Sequence, residues 1–396
     1  MYFFLLFCAM LRKSLIFLIA LAVYLPAIGQ IDSSHLRISL LTCGPGDEEI
    51  YEVFGHTAIR IIDSVQHTDE VYNYGTFEFG PDFEIQFMRG KLLYCLSVEP
   101  YRVFMEEYIQ AKRSVEEQVL TIDWKKKEQI AYFLDWNAEP ENKNYKYDFF
   151  FDNCATRIRD IFPRDEVFGK AFQYGNVLPP GKSLTFRDII NQYFYRDHWT
   201  RVGVNILLGS RIDKVMTNAD IMFLPDYLRD GLKRATVNGN KIAAPPILIL
   251  PGNQSIGGSI NGPFILMCFI ALLTFAGLSF KQLRVLGKVM SSLLMLVTGL
   301  LGCLILVMWF GTDHQGCGNN FNILWCLPTN IVIAFFNPKG KGRYALIAML
   351  LILVSFLLHI FKIQGLIPEF IPLLLALLFV YGKIYRQSNK IKSYNV

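Results

Sequence analysis

Residues 147–160 read YDFFFDNCATRIRD, and this stretch decides what fold the sequence predicts. An aromatic run leads to Cys154, and Ile158 and Ile161 follow it at the spacing of one helix face. Because Asn153 is a residue that commonly begins a helix, the pattern predicts a helix that starts at Cys154. A thiol there lies at the positive end of the helix dipole, which favours the thiolate. Cys154 is therefore a candidate nucleophile, and the alternative is a small buried core residue.

A nucleophilic cysteine needs a base within hydrogen-bond reach. Residues 55–63, GHTAIRIID, alternate in the manner of a strand, and residues 70–79 form a second strand pattern. A polar turn joins the two, which predicts an antiparallel hairpin. His56 lies at the start of the first strand and is the best base in the sequence, although a histidine on a strand is often only a satisfied core residue.

The partner strand offers a group that would orient this base. Asn73 and Tyr74 are consecutive, so their side chains point to opposite faces and only one of them can face His56. We favour Asn73 and keep Tyr74 open. Arg60 lies on the same strand face as His56 and is a candidate for substrate contact. The backbone N–H of Cys154 is the simplest oxyanion donor.

Composition divides the chain into an exported half and a membrane half. The 396 residues are 52% hydrophobic and 18% charged, and the mean hydropathy is +0.30, which is typical of a membrane protein. A basic and then apolar N-terminus predicts a signal segment over residues 1–29. The net charge of +5, without a basic block in the exported half, does not indicate nucleic-acid binding. The exported cysteines are Cys43, Cys95 and Cys154, and a Cys43–Cys95 disulfide would leave Cys154 free.

The membrane half contains five apolar runs, each near the ~20 residues that a spanning helix needs. Clusters of Lys and Arg follow the first, third and fifth runs, so the positive-inside rule places the N-terminal half outside the cytoplasm. The third and fifth runs are short and contain proline. The five predicted spans are 263–280, 289–310, 321–337, 343–362 and 366–382.

Two paired motifs carry a resemblance to a known family. GHTAIRI around His56 and DNCATR around Cys154 resemble the permuted branch of the NlpC/P60 papain-like thiol superfamily, which includes the lecithin:retinol acyltransferase type. The longer segments around them, joined to a five-helix membrane tail, resemble the bacterial lipoprotein N-acyltransferase family of the Lnb type. These segments are LLTCGPGDEEIYEVFGHTAIRI (40–61), VYNYGTFEF (71–79) and YDFFFDNCATR (147–157).

The resemblance implies a fold and a domain plan. The fold is an α+β papain-like, permuted NlpC/P60-like extracytoplasmic domain followed by an all-α transmembrane bundle of five helices. The protein is then a multi-pass protein of the bacterial inner membrane with its catalytic domain in the periplasm. The expected parts are a signal peptide (1–29), a thiol domain (30–245), a linker or short strand (246–262), the membrane domain (263–382) and a cytoplasmic tail (383–396).

The resemblance also implies an activity. His56 would deprotonate Cys154, the thiolate would take an acyl chain from a phospholipid, and the N-terminal amine of a diacylated lipoprotein would accept it. No cofactor is expected. The alternatives are an envelope thiol hydrolase (a peptidase, amidase or lipase) on the same scaffold and a non-enzymatic envelope assembly module.

A polar loop between the second and third spans lies on the same side of the membrane as Cys154. It contains His314, Asn320 and Asn322, and the resemblance implies contact with a lipid headgroup or the acceptor, against the alternative of a solvated loop. Asp313 and His314 alone are too few ligands to predict a metal site.

Overall fold

The computed structural model describes residues 34–46, 50–77, 80–195, 197–253, 260–336 and 340–394. The predicted signal segment, residues 1–29, lies outside these ranges. Within them the chain forms an α+β domain followed by a helical membrane domain, as the sequence predicts.

A seven-stranded antiparallel sheet forms the centre of the first domain, in the order β10-β5-β1-β2-β3-β4-β6. The predicted hairpin lies in the middle of this sheet, where β2 and β3 pair with Ile59 opposite Tyr72. The segment predicted as a linker or short strand supplies the edge strand β10. The strands are β1 (Leu36–Cys43), β2 (His56–Asp63), β3 (Thr68–Phe77), β4 (Leu93–Pro100), β5 (Val115–Val119), β6 (Asn144–Lys146) and β10 (Ile247–Leu250).

Helices cover both faces of the sheet, so the central strands are buried on both sides. β1 has seven buried residues of eight, which explains why its sequence is almost continuously apolar. Each face of the sheet carries a hydrophobic core. Helix α2 (Tyr101–Gln110) packs in the smaller core on one face, and helices α3 (Trp124–Ala138) and α4 (Cys154–Arg159) pack in the larger core on the other. The larger core includes Ile38, Leu40, Ile59, Tyr74, Ile130, Leu134, Ile158 and Phe162.

Shorter elements complete the first domain. A six-residue helix, α1 (Phe83–Met88), interrupts the connection between β3 and β4, and it is not among the predicted elements. A three-stranded sheet, β7-β8-β9, packs near the end of the domain. The remaining elements are β7 (Phe172–Gln173), α5 (Phe186–Tyr193), α6 (His198–Leu207), α7 (Asn218–Ile221), α8 (Pro225–Lys233), β8 (Thr236–Val237) and β9 (Asn240–Lys241).

Four helices in the described part of the membrane half are long and apolar enough to span a bilayer. They correspond to the first, second, fourth and fifth predicted spans. The last helix continues through residues predicted as a tail. The membrane helices are α9 (Gly262–Ser279), α10 (Arg284–Phe310), α11 (Asn330–Phe335), α12 (Lys341–Ile360) and α13 (Phe370–Tyr394), of which α11 is the short one.

The third predicted span, 321–337, is not a continuous helix in the residues described. It contains a 3-10 turn, Phe321–Leu324, and then the six-residue α11. Asn330 is fully buried, and its amide accepts hydrogen bonds of 2.6 Å from the hydroxyls of Tyr344 and Tyr381. Irregular backbone is tolerated at membrane depth where it is buried in protein, as it is here. The prediction of five spanning helices is therefore confirmed for four of them.

The first domain is hydrogen-bonded to the outer loops of the membrane domain. The N–H of Gly209 donates to the carbonyl of Gly316 at 2.9 Å, and that of Ser210 donates to Asn319 at 3.0 Å. On a second loop, the N–H of Gly365 donates to Asp213 at 2.8 Å. Backbone bonds of this kind hold the first domain at a fixed position on the bundle.

The possible Cys43–Cys95 disulfide is excluded by the order of the strands. Cys43 ends β1 and Cys95 lies in β4, and β2 and β3 run between them. Strands are about 4.8 Å apart, so the two cysteines are separated by roughly 14 Å, far beyond the reach of a disulfide. Both are free thiols.

Candidate active site

Helix α4 begins at Cys154, as the sequence predicts, and its start is fixed by Asn153. The side chain of Asn153 accepts from the N–H of Thr156 at 2.9 Å, and the Thr156 hydroxyl accepts from the N–H of Asn153 at 2.7 Å. The amide of Asn153 also donates to the carbonyls of Phe149 and Phe223, at 2.8 and 2.9 Å. With every polar group of this cap bonded, the Cys154 thiol has one defined position.

The Cys154 thiol forms a hydrogen bond with the imidazole of His56. Gly75 lies beside both residues. It sits at an irregularity of β3 with φ of +94°, and a Cβ built on it would lie 3.7 Å from the Cβ of Cys154 and 3.8 Å from Cε1 of His56. Glycine is thus required by its backbone angle, and its missing side chain keeps the space between the two residues open.

Asn73 orients the imidazole. Its Oδ1 lies 2.6 Å from Nε2 of His56, which leaves Nδ1 for the thiol. The amide Nδ2 of Asn73 donates to Glu99 at 3.3 Å, so Oδ1 is turned toward the histidine. A carbonyl oxygen only accepts, and this contact therefore places the proton of the neutral imidazole on Nε2. Nδ1 is then unprotonated and able to accept the thiol proton.

The electrostatics of the pair favour charge separation. Burial raises the pKa of Cys154, but the charge and hydrogen bond of His56 and the backbone N–H groups of Thr57 and Ala155 outweigh it and leave the pKa below its ordinary value. Burial lowers the pKa of His56, but the Cys154 thiolate and the bonds to Cys154 and Asn73 outweigh it and leave the pKa raised. Both shifts describe a thiolate beside an imidazolium.

Cys43 shows that position on the sheet alone does not activate a thiol. It lies directly opposite His56 in the pairing of β1 with β2. Burial raises the pKa of Cys43 to about 12, although Tyr108 hydrogen-bonds it. Of these two thiols, only Cys154, beside the imidazole at a helix start, has a lowered pKa.

Two tyrosines line the other side of the thiol. Burial and the negative charge of the Cys154 thiolate raise the pKa of Tyr145 and of Tyr147. The Tyr145 ring carries the Arg157 guanidinium 4.0 Å above it. Tyr147 stacks on Tyr94 with ring centroids 4.2 Å apart. The thiol thus has aromatic side chains near it, one of which is covered by the Arg157 guanidinium.

Tyr74 does not contact His56. It faces the opposite side of β3, is buried in the larger core, and its hydroxyl donates to Asn137 at 2.6 Å. Of the two open candidates for the third group, the structure brings Asn73 to the histidine.

Two family models match the chain. The Lnb N-terminal periplasmic domain matches residues 25–192, and the Lnb transmembrane domain matches residues 259–392. Together they match part of the first domain, nearly all of the membrane domain and most of the chain. The chain belongs to the Lnb family. No curated protein and no solved structure matches it.

Membership in the Lnb family gives the site its cellular position. This Lnb protein is a multi-pass protein of the inner membrane, and the domain that carries Cys154 is periplasmic. The two Lnb domains indicate a lipoprotein-modifying membrane enzyme. Among the described residues, no group of three or more His, Cys, Asp or Glu side chains is placed to hold a metal ion.

The polar loop between the second and third predicted spans of this Lnb protein binds the first domain. The amide of Asn320 donates to the carbonyls of Ile206 and Leu207, both at 2.9 Å. That of Asn322 donates to Asn205 and Ile206 at 3.1 and 3.2 Å. Both asparagines are buried, so these bonds take the amide donors that would have met a substrate headgroup.

The other two predicted substrate residues lie apart. His314 is half-buried, and its Nε2 donates to the carbonyl of Met88 at 3.2 Å. Arg60 is four residues along the strand from His56, about 13 Å away. Its guanidinium pairs with Asp69 at 2.6 Å and Glu117 at 3.3 Å. The structure therefore does not place Arg60 at the thiol.

Sequence reasoning missed Gly75, Glu99 and Tyr145. Gly75 interrupts an otherwise regular strand pattern, which is a signal of a bulge or a close approach. Tyr145 alternates with Tyr147 just before the cysteine stretch, a short strand pattern. Glu99 carried no signal, because its role depends on the pairing of β3 with β4.

Proposed function

We propose that this Lnb protein is a cysteine-dependent acyltransferase. It transfers an acyl chain from a phospholipid, through a thioester on Cys154, to the N-terminal amine of a diacylated lipoprotein. The observation that carries the proposal is the hydrogen-bonded series Cys154, His56, Asn73 at the start of a helix, in a domain fixed to a membrane bundle.

The first half of the reaction forms the thioester. His56 takes the proton of Cys154, and the thiolate attacks the ester carbonyl of the phospholipid. The negative oxygen of the tetrahedral intermediate needs donors, and the N–H of Cys154 at the helix start supplies one. When the intermediate collapses, the ester C–O bond breaks and the His56 imidazolium gives its proton to the departing lysophospholipid.

The second half uses the same groups in reverse. The lipoprotein amine attacks the thioester carbonyl, and neutral His56 accepts the amine proton. The C–S bond then breaks, and an amide and a Cys154 thiolate beside imidazolium remain. Asn73 keeps the imidazole in one orientation through both halves, which is what a base that acts twice requires.

The apolar surroundings support an acyl donor. The thiol is only 9% exposed and lies among Tyr145, Tyr147 and the phenylalanines before it. A membrane bundle that holds the domain at the bilayer supplies lipid at high local concentration. A hydrolase on the same scaffold would use water in place of the amine, and the acceptor step distinguishes the two.

The experiment uses the full-length protein in vesicles whose phospholipid carries one isotopically labelled acyl chain. Intact-mass spectrometry should find one labelled chain on the protein, at Cys154 and removable by hydroxylamine. Addition of a diacylated lipopeptide with a free N-terminal cysteine should move the label to the peptide amine. Cys154→Ser should abolish both signals, and Cys95→Ala, another free thiol of the domain, should retain them.

Two results would contradict the proposal. Labelled fatty acid released into water at the same rate with and without lipopeptide would show a hydrolase. An unlabelled Cys154 in active, folded preparations, with the Cys154→Ser protein indistinguishable from the parent, would show that the cysteine is not a nucleophile.

A further inference from the structure

The helix α1 exposes apolar side chains that the domain does not cover. Ile85 is 48% exposed, Phe87 50% and Met88 61%, and none of the six residues of the helix is buried. The remaining helices of the domain bury part of their apolar face in a core. A group of exposed apolar side chains on one short helix indicates a contact with another apolar phase.

Hydrogen bonds hold the end of α1 against the membrane domain. The carbonyl of Arg89 accepts from the N–H of Asp313 at 2.8 Å, and the carbonyl of Met88 accepts from Nε2 of His314 at 3.2 Å. Gly90 has φ of +65°, and a Cβ on it would lie 3.1 Å from the N of His314. The chain here is therefore built for close approach to this loop.

The loop fixes the height of α1 relative to the bilayer. The spanning helix α10 ends at Phe310, which is 72% exposed, and Val307 one turn before is 58% exposed. These side chains face lipid at the periplasmic end of the span. Asp313 and His314 follow within four residues, so α1 lies at the level of the lipid headgroups and upper acyl chains. The exposed Arg89 and Lys91 beside it match the phosphate layer.

A row of aromatic rings leads from α1 toward the thiol. The centroids of Phe87 and Phe83 are 6.1 Å apart, and those of Phe83 and Phe77 are 5.2 Å apart. Phe77 then meets Tyr94 at 5.3 Å, and Tyr94 stacks on Tyr147 at 4.2 Å. Burial raises the pKa of Tyr147 most, and the negative charge of the nearby Cys154 thiolate raises it further. The row is continuous from the membrane level to the site.

We propose that α1 inserts its apolar side chains into the periplasmic leaflet and that the aromatic row guides one acyl chain of a phospholipid from the leaflet to Cys154. The second part rests on the proposed acyltransferase function. The occupant is the lipid surface itself, because the patch continues the lipid-facing surface of a spanning helix and is flanked by cations.

The test of insertion uses protein that cannot react. Phe87→Trp is placed in the full-length Cys154→Ser protein and reconstituted in phosphatidylethanolamine and phosphatidylglycerol vesicles with or without bromine on the acyl chains. The parent has five tryptophans, so its fluorescence is subtracted from that of the variant. The remaining emission, from the introduced tryptophan, should fall by roughly half with brominated lipid, since an interfacial helix buries its apolar face in the acyl region. The matched control is Val65→Trp, at an exposed position in the turn after β2.

Equal quenching at the two positions, or none at position 87, would overturn the insertion. Because this measurement needs no chemistry at Cys154, it remains decisive even if the acyltransferase function fails.

The guidance step is tested by the ratio of the Cys154 acylation rates with two acyl donors. In the otherwise wild-type protein, Ile85→Asn with Phe87→Asn should lower the rate of Cys154 acylation from vesicle phospholipid, relative to a soluble short-chain p-nitrophenyl ester, by about tenfold, as expected for lost apolar burial. Val65→Asn should leave the ratio unchanged. An unchanged ratio in the double variant would overturn the guidance. Absence of acylation by both donors in the wild type would instead contradict the proposed function.

Discussion

The Oδ1 of Asn73 lies 2.6 Å from the Nε2 of His56, across two neighbouring strands. The two residues come from β2 and β3, so the hairpin itself sets the orientation of the imidazole. The contact assigns the proton of neutral His56 to Nε2 and leaves Nδ1 to Cys154. In the proposed mechanism Asn73 acts as a positioning residue, because it touches the base and not the reacting atoms.

Asn73→Ala should lower the rate of Cys154 acylation by roughly 10- to 100-fold, because the imidazole loses its orientation and its preferred tautomer. Asn73→Gln should not restore the rate, since the longer side chain moves the carbonyl. The measurement is the initial rate of acyl adduct formation by mass spectrometry.

The matched control is Tyr74→Phe on the same strand. It removes the hydroxyl that donates to Asn137, at a cost of about 1–3 kcal/mol of stability, and leaves His56 untouched. We expect a lower melting temperature with near-normal acylation. If Tyr74→Phe reduced acylation as much as Asn73→Ala, the assignment of Asn73 as the partner of the base would fail.

The pKa directions predict how reactivity depends on pH. The pKa of Cys154 is lowered and that of His56 is raised, and both shifts favour the coexistence of a thiolate and an imidazolium. Alkylation of Cys154 by iodoacetamide should rise as the pH passes the lowered thiol pKa, below the ordinary value of about 8.5. Acylation by phospholipid should fall again when the pH passes the raised His56 pKa, because no imidazolium is then present to protonate the departing lysophospholipid.

Two comparisons make the pH profile specific. His56→Ala removes the imidazolium and leaves burial, so the midpoint of alkylation should move upward past the ordinary thiol value. Cys43, whose pKa burial raises to about 12, should remain unlabelled through neutral pH. A wild-type midpoint that does not change in His56→Ala would show that the histidine does not stabilise the thiolate.

Gly75→Ala should reduce both stability and acylation. Its φ of +94° is unfavourable for alanine by about 1–2 kcal/mol, and the added Cβ fills the space between Cys154 and His56. Gly239→Ala separates the two effects, because Gly239 has φ of +83° with nothing within 4 Å of the added Cβ. Both variants should lose similar stability in chemical denaturation, and only Gly75→Ala should lose acylation. Equal acylation in both would contradict a role for Gly75 at the thiol.

Asn320→Ala should destabilise the junction between the two domains. It leaves the carbonyl of Leu207 without its Asn320 donor and the carbonyl of Ile206 with the Asn322 amide alone, which costs about 1–3 kcal/mol for buried groups. His314→Ala, at a half-buried position of the same loop, removes one hydrogen bond, to the carbonyl of Met88, and should cost less. The readout is thermal stability in detergent together with the affinity for phospholipid vesicles. Lost lipid affinity at unchanged stability in Asn320→Ala would restore the substrate-contact interpretation of this loop.

Much of the site could be predicted from residues close together in the chain. The helix that starts at Cys154 follows from Asn153 and the spacing of Ile158 and Ile161, because caps and helix faces are local features. The hairpin that carries His56 and Asn73 follows from alternation around a polar turn. The membrane half follows from hydropathy, except at the third span, where buried side-chain partners replace a regular helix.

Local features of the sequence were enough to predict an exported thiol domain with a membrane bundle, since composition, strand alternation and helix caps act over short distances along the chain. Which groups meet depended on the folded chain. Strand order kept Cys43 and Cys95 apart, register chose Asn73 over Tyr74, and domain docking buried Asn320 and Asn322. These outcomes depend on contacts between segments far apart in the chain, and a pattern within one segment does not specify its distant partner.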